Sequence, residues 1–307
     1  MENIQKLYNA LQSAEAIVVG AGAGLSTAAG FTYSGERFER HFADLIRQYG
    51  FTDMYTAGFY PFPSEEHYWA YWSRHIYYNR YVPAPKPVYE NLLKLLKDKN
   101  YFVITTNVDH QFQKAGFDKQ RLFYTQGDYG LLQCAKPCHQ KTYDNEEIIK
   151  KMIAATVGAN NHSPNNHSPN NHSPNNELSD ARANDHSPLQ IPTELVPKCP
   201  VCGGKMVPNL RSDETFVEDE GWHAASQRYT EFLTRHKDGR VLFLDLGSGG
   251  NTPIIFKIPF IKMTMQNPKA TYATVNLGEA FTVEQIEDRS IVIDADIADV
   301  IDRLLTL

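Results

Sequence analysis

No apolar run in the chain reaches the roughly 18 residues that a membrane-spanning helix needs. Basic residues are not in excess: 30 Lys and Arg stand against 36 Asp and Glu, a formal charge of −6. That balance argues against a general nucleic-acid or membrane-surface binder. Cysteine is scarce, with four in 307 residues, far too few for a disulfide scaffold. Met1-Glu2-Asn3 opens a polar helix rather than a signal peptide. A cytoplasmic location is therefore expected, where four cysteines serve as metal ligands or free thiols. The spacing G-x-G-x-x-G of dinucleotide-binding turns is missing too. From Gly20 its last position falls on Leu25 and from Gly22 on Thr27, and no clear strand-ending acid follows about twenty residues on.

What is present is a short buried strand running into glycine. Ala16–Val19 is apolar without alternation, and Gly20, Gly22 and Gly24 follow it, then Ser26-Thr27-Ala28-Ala29. Such a strand–turn–helix lets a pyrophosphate approach the backbone and meet the amides that open the helix. A tight turn with no ligand is the other reading of this stretch alone. Similar units recur. Tyr101–Thr105 ends in Thr106-Asn107-Val108-Asp109, Leu122–Thr125 in Gln126-Gly127-Asp128, and Val241–Leu246 in Gly247-Ser248-Gly249-Gly250, with a helix expected from Pro253. Thr271–Leu277 and Ser290–Asp294 complete the strands. Taken singly, Asn107 and Asp109 read as caps of the next helix. Strand then helix, repeated with polar or glycine-rich strand ends, predicts an α/β, Rossmann-like, doubly wound parallel sheet. Between these units, Glu2–Glu15, Phe38–Tyr49 and Val88–Lys97 read as helices, and Ser64 caps a long aromatic helix reaching about Tyr81.

Cys134-x3-Cys138 and Cys199-x2-Cys202-Gly-Gly form a four-cysteine zinc pattern, structural because four thiolates leave no open position. The gap between the pairs holds three Asn-His-Ser-Pro-Asn copies from Asn161 to Asn175, too polar to bury a core. His162, His167 and His172 there read as a solvated repeat, with weak metal binding as the alternative. The expected organisation is a Rossmann-like domain over 1–130 and 206–307. A zinc-binding module occupies 131–205 and carries a flexible insertion over 157–190.

Together these residues resemble the sirtuin family of NAD-dependent protein deacylases and ADP-ribosyltransferases. The match runs through GAGAGLSTAAG at Gly20–Gly30, TTNVD at Thr105–Asp109, QKAG at Gln113–Gly116 and the cysteine pairs. It continues through GSGGNTP at Gly247–Pro253 and VNL at Val275–Leu277. The resemblance implies an NAD cleft between a Rossmann-like domain and a small zinc module. It places Ala23 and Thr27 on the cofactor's phosphates and ribose, and Asn107 and Asp109 at the nicotinamide, with Asp109 accepting from the carboxamide. Gly247 and Ser248 fall on the phosphates, Asn276 on the adenosine ribose and Ala295 beside the adenine.

The chain departs from that family in four places. Thr32-Tyr33-Ser34-Gly35 replaces a Pro-Asp-Phe-Arg run, Thr106 replaces a glutamine, and Gln126 replaces the histidine base before a glycine. The peptide-binding run after Pro208 becomes Asn209–Glu214. A neutral amide at 126 removes a general base worth roughly 10² to 10⁴ in rate, which deacylation needs and loss of nicotinamide does not. These departures resemble the macrodomain-linked sirtuins, which implies a protein mono-ADP-ribosyltransferase with Gln126 orienting the ribose. That subgroup further implies a lipoylated glycine-cleavage-H-like carrier as acceptor and a macrodomain hydrolase as functional partner. Deacylation despite Gln126, and a non-enzymatic NAD or ADP-ribose sensor, are the alternatives. Tyr60 and Arg211 are candidates for lining the substrate side of the cleft, against the commoner reading of Tyr60 as a packing residue and Arg211 as a surface one.

Overall fold

β1 (Ala16–Ala21) is buried at all six positions, and its two sets of side chains enter different cores. Ile17, Val19 and Ala21 pack with the helices Glu2–Ser13, Ala23–Ala28, Val88–Leu96 and Ile297–Leu304. Ala16 and Val18 pack with Glu220–His236 and Lys257–Gln266, through Phe232, Phe256 and Phe260. A strand covered on both faces has no solvent side, which is why its sequence shows no alternation. The computed structural model describes residues 2–158, 189–250 and 253–307. The Asn-His-Ser-Pro repeats, and the flexibility expected for 157–190, fall almost wholly outside the described residues.

The other strands are β2 (Tyr101–Thr105), β3 (Leu122–Tyr124), β4 (Gly127–Cys134), β5 (Tyr143–Asp144), β6 (Met206–Leu210), β7 (Val241–Leu246), β8 (Thr271–Val275) and β9 (Ser290–Ile293). Six form one sheet in the order β3-β2-β1-β7-β8-β9, parallel at every pairing. This is the doubly wound, Rossmann-like sheet the sequence predicts. β5-β4-β6 form a separate antiparallel sheet, whose Tyr129, Leu132 and Met206 share a core with Trp69 and Ile76 of the helix Glu65–Ile76 and with Ile149 and Met152 of the helix Glu146–Gly158. Among the described residues no helix is long and apolar enough to cross a membrane.

Three sequence expectations need correction. The parts of the Rossmann-like domain were expected to meet the module at 130 and 206. The small sheet instead takes β4 from Gly127 and all of β6, pairing Gly127 with Leu210 and Cys134 with Met206. The Cys199–Cys202 turn sends the chain back along Cys134, so β6 zips onto β4 instead of entering the large sheet. The helix expected from Pro253 begins at Lys257, after a turn in which the Ile258 amide reaches Pro253 O at 2.9 Å.

The aromatic helix starts as expected, with Ser64 Oγ accepting from the His67 amide, but its α-helical part ends at Ile76. Tyr77–Tyr81 continues as a π-turn. Asn79 Nδ2 donates to His75 O at 2.8 Å, competing for the carbonyl an α-helix would use there. The Val82 amide accordingly reaches back five residues, to Tyr77 O. Arg37 fixes the widened turn, donating to Tyr78 O at 2.8 Å and Asn79 Oδ1 at 3.0 Å.

Candidate active site

All six parallel strands end at one edge of the large sheet, and each is followed there by a residue singled out in the sequence. Ala23 follows β1, Asn107 and Asp109 follow β2, and Gln126 follows β3. Gly247 and Ser248 follow β7, Asn276 follows β8, and Ala295 follows β9. Connections from the central pair β1 and β7 wind away in opposite directions, and the crevice at such a switch point is where open α/β sheets bind ligands.

At that switch point the two glycine turns lie backbone against backbone. Gly24 N donates to Gly247 O at 2.9 Å, and Gly22 N to Leu246 O at 3.0 Å. A Cβ on Gly24 would fall 2.7 Å from Gly247 Cα, while Gly247 itself takes φ +70°, so neither tolerates a side chain without movement. Ser248 is fastened from below by Asp245, which is fully buried: its amide donates to Oδ1 at 3.2 Å and its hydroxyl to Oδ2 at 2.7 Å. Tyr272 OH donates to the same carboxylate at 3.0 Å, and the buried Lys257 Nζ lies 3.8 Å away. Burial pushes the Asp245 carboxyl up, and the Ser248 hydroxyl and Lys257 charge counter it. Asn276 Nδ2 donates to Ser248 O at 3.0 Å. The Ser248 hydrogens and the Asn276 amide therefore hold the turn together. The exposed Ala23 and Thr27, and the open space beside Gly249 and Gly250, are left facing solvent.

The β2 end is built from side chains. Asn107 Nδ2 donates to Gly22 O at 2.8 Å, which ties this loop to the first glycine turn. Asp109 is buried and its partners are neutral: Ser26 Oγ at 2.5 Å on Oδ2 and the Gln111 amide at 3.2 Å on Oδ1. Ser26 is held in turn by Tyr89 OH at 2.8 Å. Burial raises the Asp109 pKa, and the bonds from Ser26 and Gln111 limit the rise. Such a carboxyl has lone pairs left to accept from an amide placed against it.

Gln126 is half-buried, with its side-chain Nε2 3.4 Å from Thr125 Oγ1 and its backbone carbonyl accepting from the Arg211 amide at 3.0 Å. It has no acid–base function near neutrality. Two residues on, buried Asp128 accepts from Arg80 Nε at 3.0 Å, from Gly130 N at 2.7 Å and from His110 Nδ1. Burial opposes its ionisation, but the bonds from His110 and Arg80 outweigh it and hold the pKa low. His110 is the one non-glycine residue with positive φ among the described residues, at 64°. Backbone held there costs about 1–2 kcal/mol for an ordinary side chain, and the Asp128 contact fixes it. Beside this end, Tyr33 OH lies 2.8 Å from Tyr129 OH, which lies 2.8 Å from His75 Nε2.

The four cysteines come together. All four Sγ atoms lie within 4.8 Å of one another, with Cys134–Cys202 and Cys138–Cys199 at 3.7 Å. Thiolates about 2.3 Å from a tetrahedral zinc are about 3.8 Å apart, so the cluster has the dimensions of a closed structural site. Amides of Cys202 and Val201 bring the Cys199 thiol down to about 7, towards the thiolate a metal needs. Tyr60 belongs to a surface aromatic cluster with Tyr49, Phe51 and Phe62. Arg211 pairs with Glu218 and lies over Phe216 and Trp222.

Several groups packed around the crevice escaped the sequence reading: Ser26 and Tyr89 behind Asp109, the Asp245–Lys257–Tyr272 seat, the His110–Asp128–Arg80 cluster, and the bonds that Tyr33 makes. One had a visible signal, because Asp245 is the single charge inside the apolar run Val-Leu-Phe-Leu-Asp-Leu.

No family model matches the chain. It is 37% identical over 300 residues to a protein ADP-ribosyltransferase of Staphylococcus aureus (strain Mu50 / ATCC 700699), covering 97% of this chain and 86% of that protein. It is 31% identical over 310 residues to a probable bifunctional ADP-ribose hydrolase/ADP-ribosyltransferase of Fusarium oxysporum f. sp. cubense, spanning 46% of that longer protein. Among solved structures it resembles Sir2Tm bound to a propionylated peptide, at 18% identity, TM-score 0.58, with 99% of this chain and 97% of that one aligned. A Sir2 complex with p53 peptide and NAD+ aligns over the same shares at 18% identity and TM-score 0.57.

Proposed function

The chain belongs to the sirtuin-fold protein ADP-ribosyltransferases, and from that premise we propose that it transfers ADP-ribose from NAD to a partner protein and releases nicotinamide. The observation that carries this reading is the near-full-length kinship with the staphylococcal transferase. The geometry supports it at each end of the crevice. The Gly22–Gly24 and Gly247–Gly250 turns suit a pyrophosphate, because a neutral, side-chain-free surface lets backbone amides approach it. Asp109, with neutral partners and free lone pairs, accepts from the nicotinamide carboxamide, and Asn107 holds the loop in register with Gly22. These contacts orient the glycosidic bond. As it breaks, its electron pair leaves with nicotinamide, and a nucleophile of the partner protein takes C1′.

Gln126 argues for transfer over deacylation. Its amide can hold a ribose hydroxyl but cannot take a proton from one at neutral pH. A nucleophile that is already charged, or that loses its proton to water, needs no base there.

The acceptor in this reading is a lipoylated carrier related to glycine-cleavage protein H, with a macrodomain hydrolase reversing the modification. The departures at Thr32–Gly35, Gln126 and Asn209–Glu214, which resemble those of macrodomain-linked sirtuins, support the acceptor. The fungal relative, a probable bifunctional ADP-ribose hydrolase/ADP-ribosyltransferase, supports the reversing partner. Mass spectrometry of the carrier, lipoylated and unlipoylated, after incubation with the protein and NAD tests both levels. ADP-ribose on the lipoylated form alone is expected, and lost with Asn107→Ala. Nicotinamide release with an unmodified carrier would sink the acceptor and leave the chemistry standing. No nicotinamide release under any condition would sink the chemistry.

A further inference from the structure

The hydrogen-bond chain that ends at Tyr33 has only one consistent direction. Tyr71 OH donates to Met54 O, a carbonyl that can only accept. The Tyr71 oxygen must then accept from His75 Nδ1, 2.9 Å away, so the neutral imidazole carries its hydrogen on that nitrogen. His75 Nε2 is left bare and accepts from Tyr129 OH at 2.8 Å. With its hydrogen used, Tyr129 accepts from Tyr33 OH at 2.8 Å. Reversing the last two bonds requires hydrogens on both imidazole nitrogens. Burial, reinforced by the Arg37 charge, keeps His75 neutral by bringing its pKa down to about 3.

Tyr33 therefore turns its hydrogen inwards and has only oxygen lone pairs to offer elsewhere. It sits in the Thr32–Gly35 run that departs from the family, and it is half-buried. Its partner Tyr129 is fastened to the nicotinamide end, because the Tyr129 amide donates at 2.8 Å to the carbonyl of Val108, which stands between Asn107 and Asp109.

We infer that Tyr33 is a substrate-contacting residue whose oxygen accepts a hydrogen bond from a hydroxyl of the ribose bearing nicotinamide, with Tyr129 and His75 as positioning residues that fix its direction. This rests on the NAD reading above and deepens it. Asp109 takes the carboxamide donor, and the ribose hydroxyls are the donors remaining at that end. A residue that can accept but not donate selects a hydroxyl over a carbonyl or phosphate at the same place.

The test uses the full-length protein, with nicotinamide release read on NAD and on analogues lacking the 2′- or the 3′-hydroxyl of the nicotinamide ribose. Tyr33→Phe keeps the ring and leaves the Tyr129–His75 bond intact. It should lower turnover on NAD about three- to tenfold, the worth of one neutral hydrogen bond. On the analogue missing the partner hydroxyl, Tyr33→Phe and the unmodified protein should turn over equally. Tyr129→Phe frees the Tyr33 hydrogen and should cost as much, and the double variant no more than either. Thermal melts establish that each variant is folded. Turnover of NAD by Tyr33→Phe at the unmodified rate overturns the inference. So does a loss that persists on both analogues, or one that simply adds in the double variant. Failure of the unmodified protein to release nicotinamide at all removes the NAD reading and this inference with it.

Discussion

The crevice has two ends made in different ways. At the glycine end the contacting surface is backbone, from Gly22–Gly24 against Gly247, and a single buried carboxylate, Asp245, holds it from behind. At the Asn107–Asp109 end the surface is side chains, each held by another: Asp109 by Ser26, Ser26 by Tyr89, Tyr33 by Tyr129, Tyr129 by His75. Backbone amides arranged around absent side chains can grip a phosphate of any nucleotide. In the proposed reaction, the side-chain end decides which bond is strained and what group is selected. Changes at the glycine end should therefore appear in stability and in the KM for NAD, and changes at the other end in turnover.

The largest effect expected is at Asp109. Asp109→Asn should lower nicotinamide release about 10²- to 10³-fold, as removal of one preorganised polar partner does elsewhere, without loss of the fold. Because its folded-state pKa is raised, Asp109 favours the folded state only at low pH. That contribution is lost as pH rises through the folded-state value. The variant should therefore melt higher than the unmodified protein at neutral pH and lose that advantage in acid. A lower melting point at pH 7 would contradict this picture of a carboxyl held at a cost.

Next comes the seat of the opposite turn. Asp245→Asn leaves the Lys257 ammonium buried without its counter-charge, and should cost about 3–5 kcal/mol in denaturant unfolding. NAD should also bind more weakly as Ser248 loosens. A stable variant with unchanged KM would show that the turn needs no such support. Gly24→Ala presses a methyl onto Gly247 Cα and should cost about 1–3 kcal/mol, with the KM for NAD rising more than kcat falls. Equal loss in both would erase the distinction between the ends.

The smallest expected change is Gln126→Ala, about two- to tenfold in turnover, the range for one neutral hydrogen bond. A drop of roughly 10² or more would mean that Gln126 does work of the size of a general base.

The two ends also differ in how far the sequence reveals them. Glycine runs after buried strands, and paired cysteines, are local signals, so the sheet, the turn at Gly247 and the cysteine cluster were legible. The contacts that specify the other end join residues far apart in the chain, such as Ser26 with Asp109 and Tyr33 with Tyr129. Periodicity reports which face of an element is buried. It says nothing of which polar group 80 or 90 residues away will satisfy it, as the separations of 83 and 96 for these two bonds illustrate. The π-turn at Tyr77–Tyr81 was hidden for the same reason, because Arg37 and the Asn79 side chain override what the local pattern reads as continuous helix. β4 was missed because Asp128 and Gln133 interrupt its apolar pattern, although both are buried and satisfied.

β4 also makes a mechanical connection. The strand begins at Gly127, next to Gln126, and ends at Cys134, eight residues that span roughly 24 Å at the usual rise. It is a rod with Gln126 at one end and the cysteine cluster at the other, and the turn through Cys199 and Cys202 leads into β6, whose far end at Leu210 returns beside Gly127. One short strand thus carries the cysteine cluster at one end and the position beside Gln126 at the other.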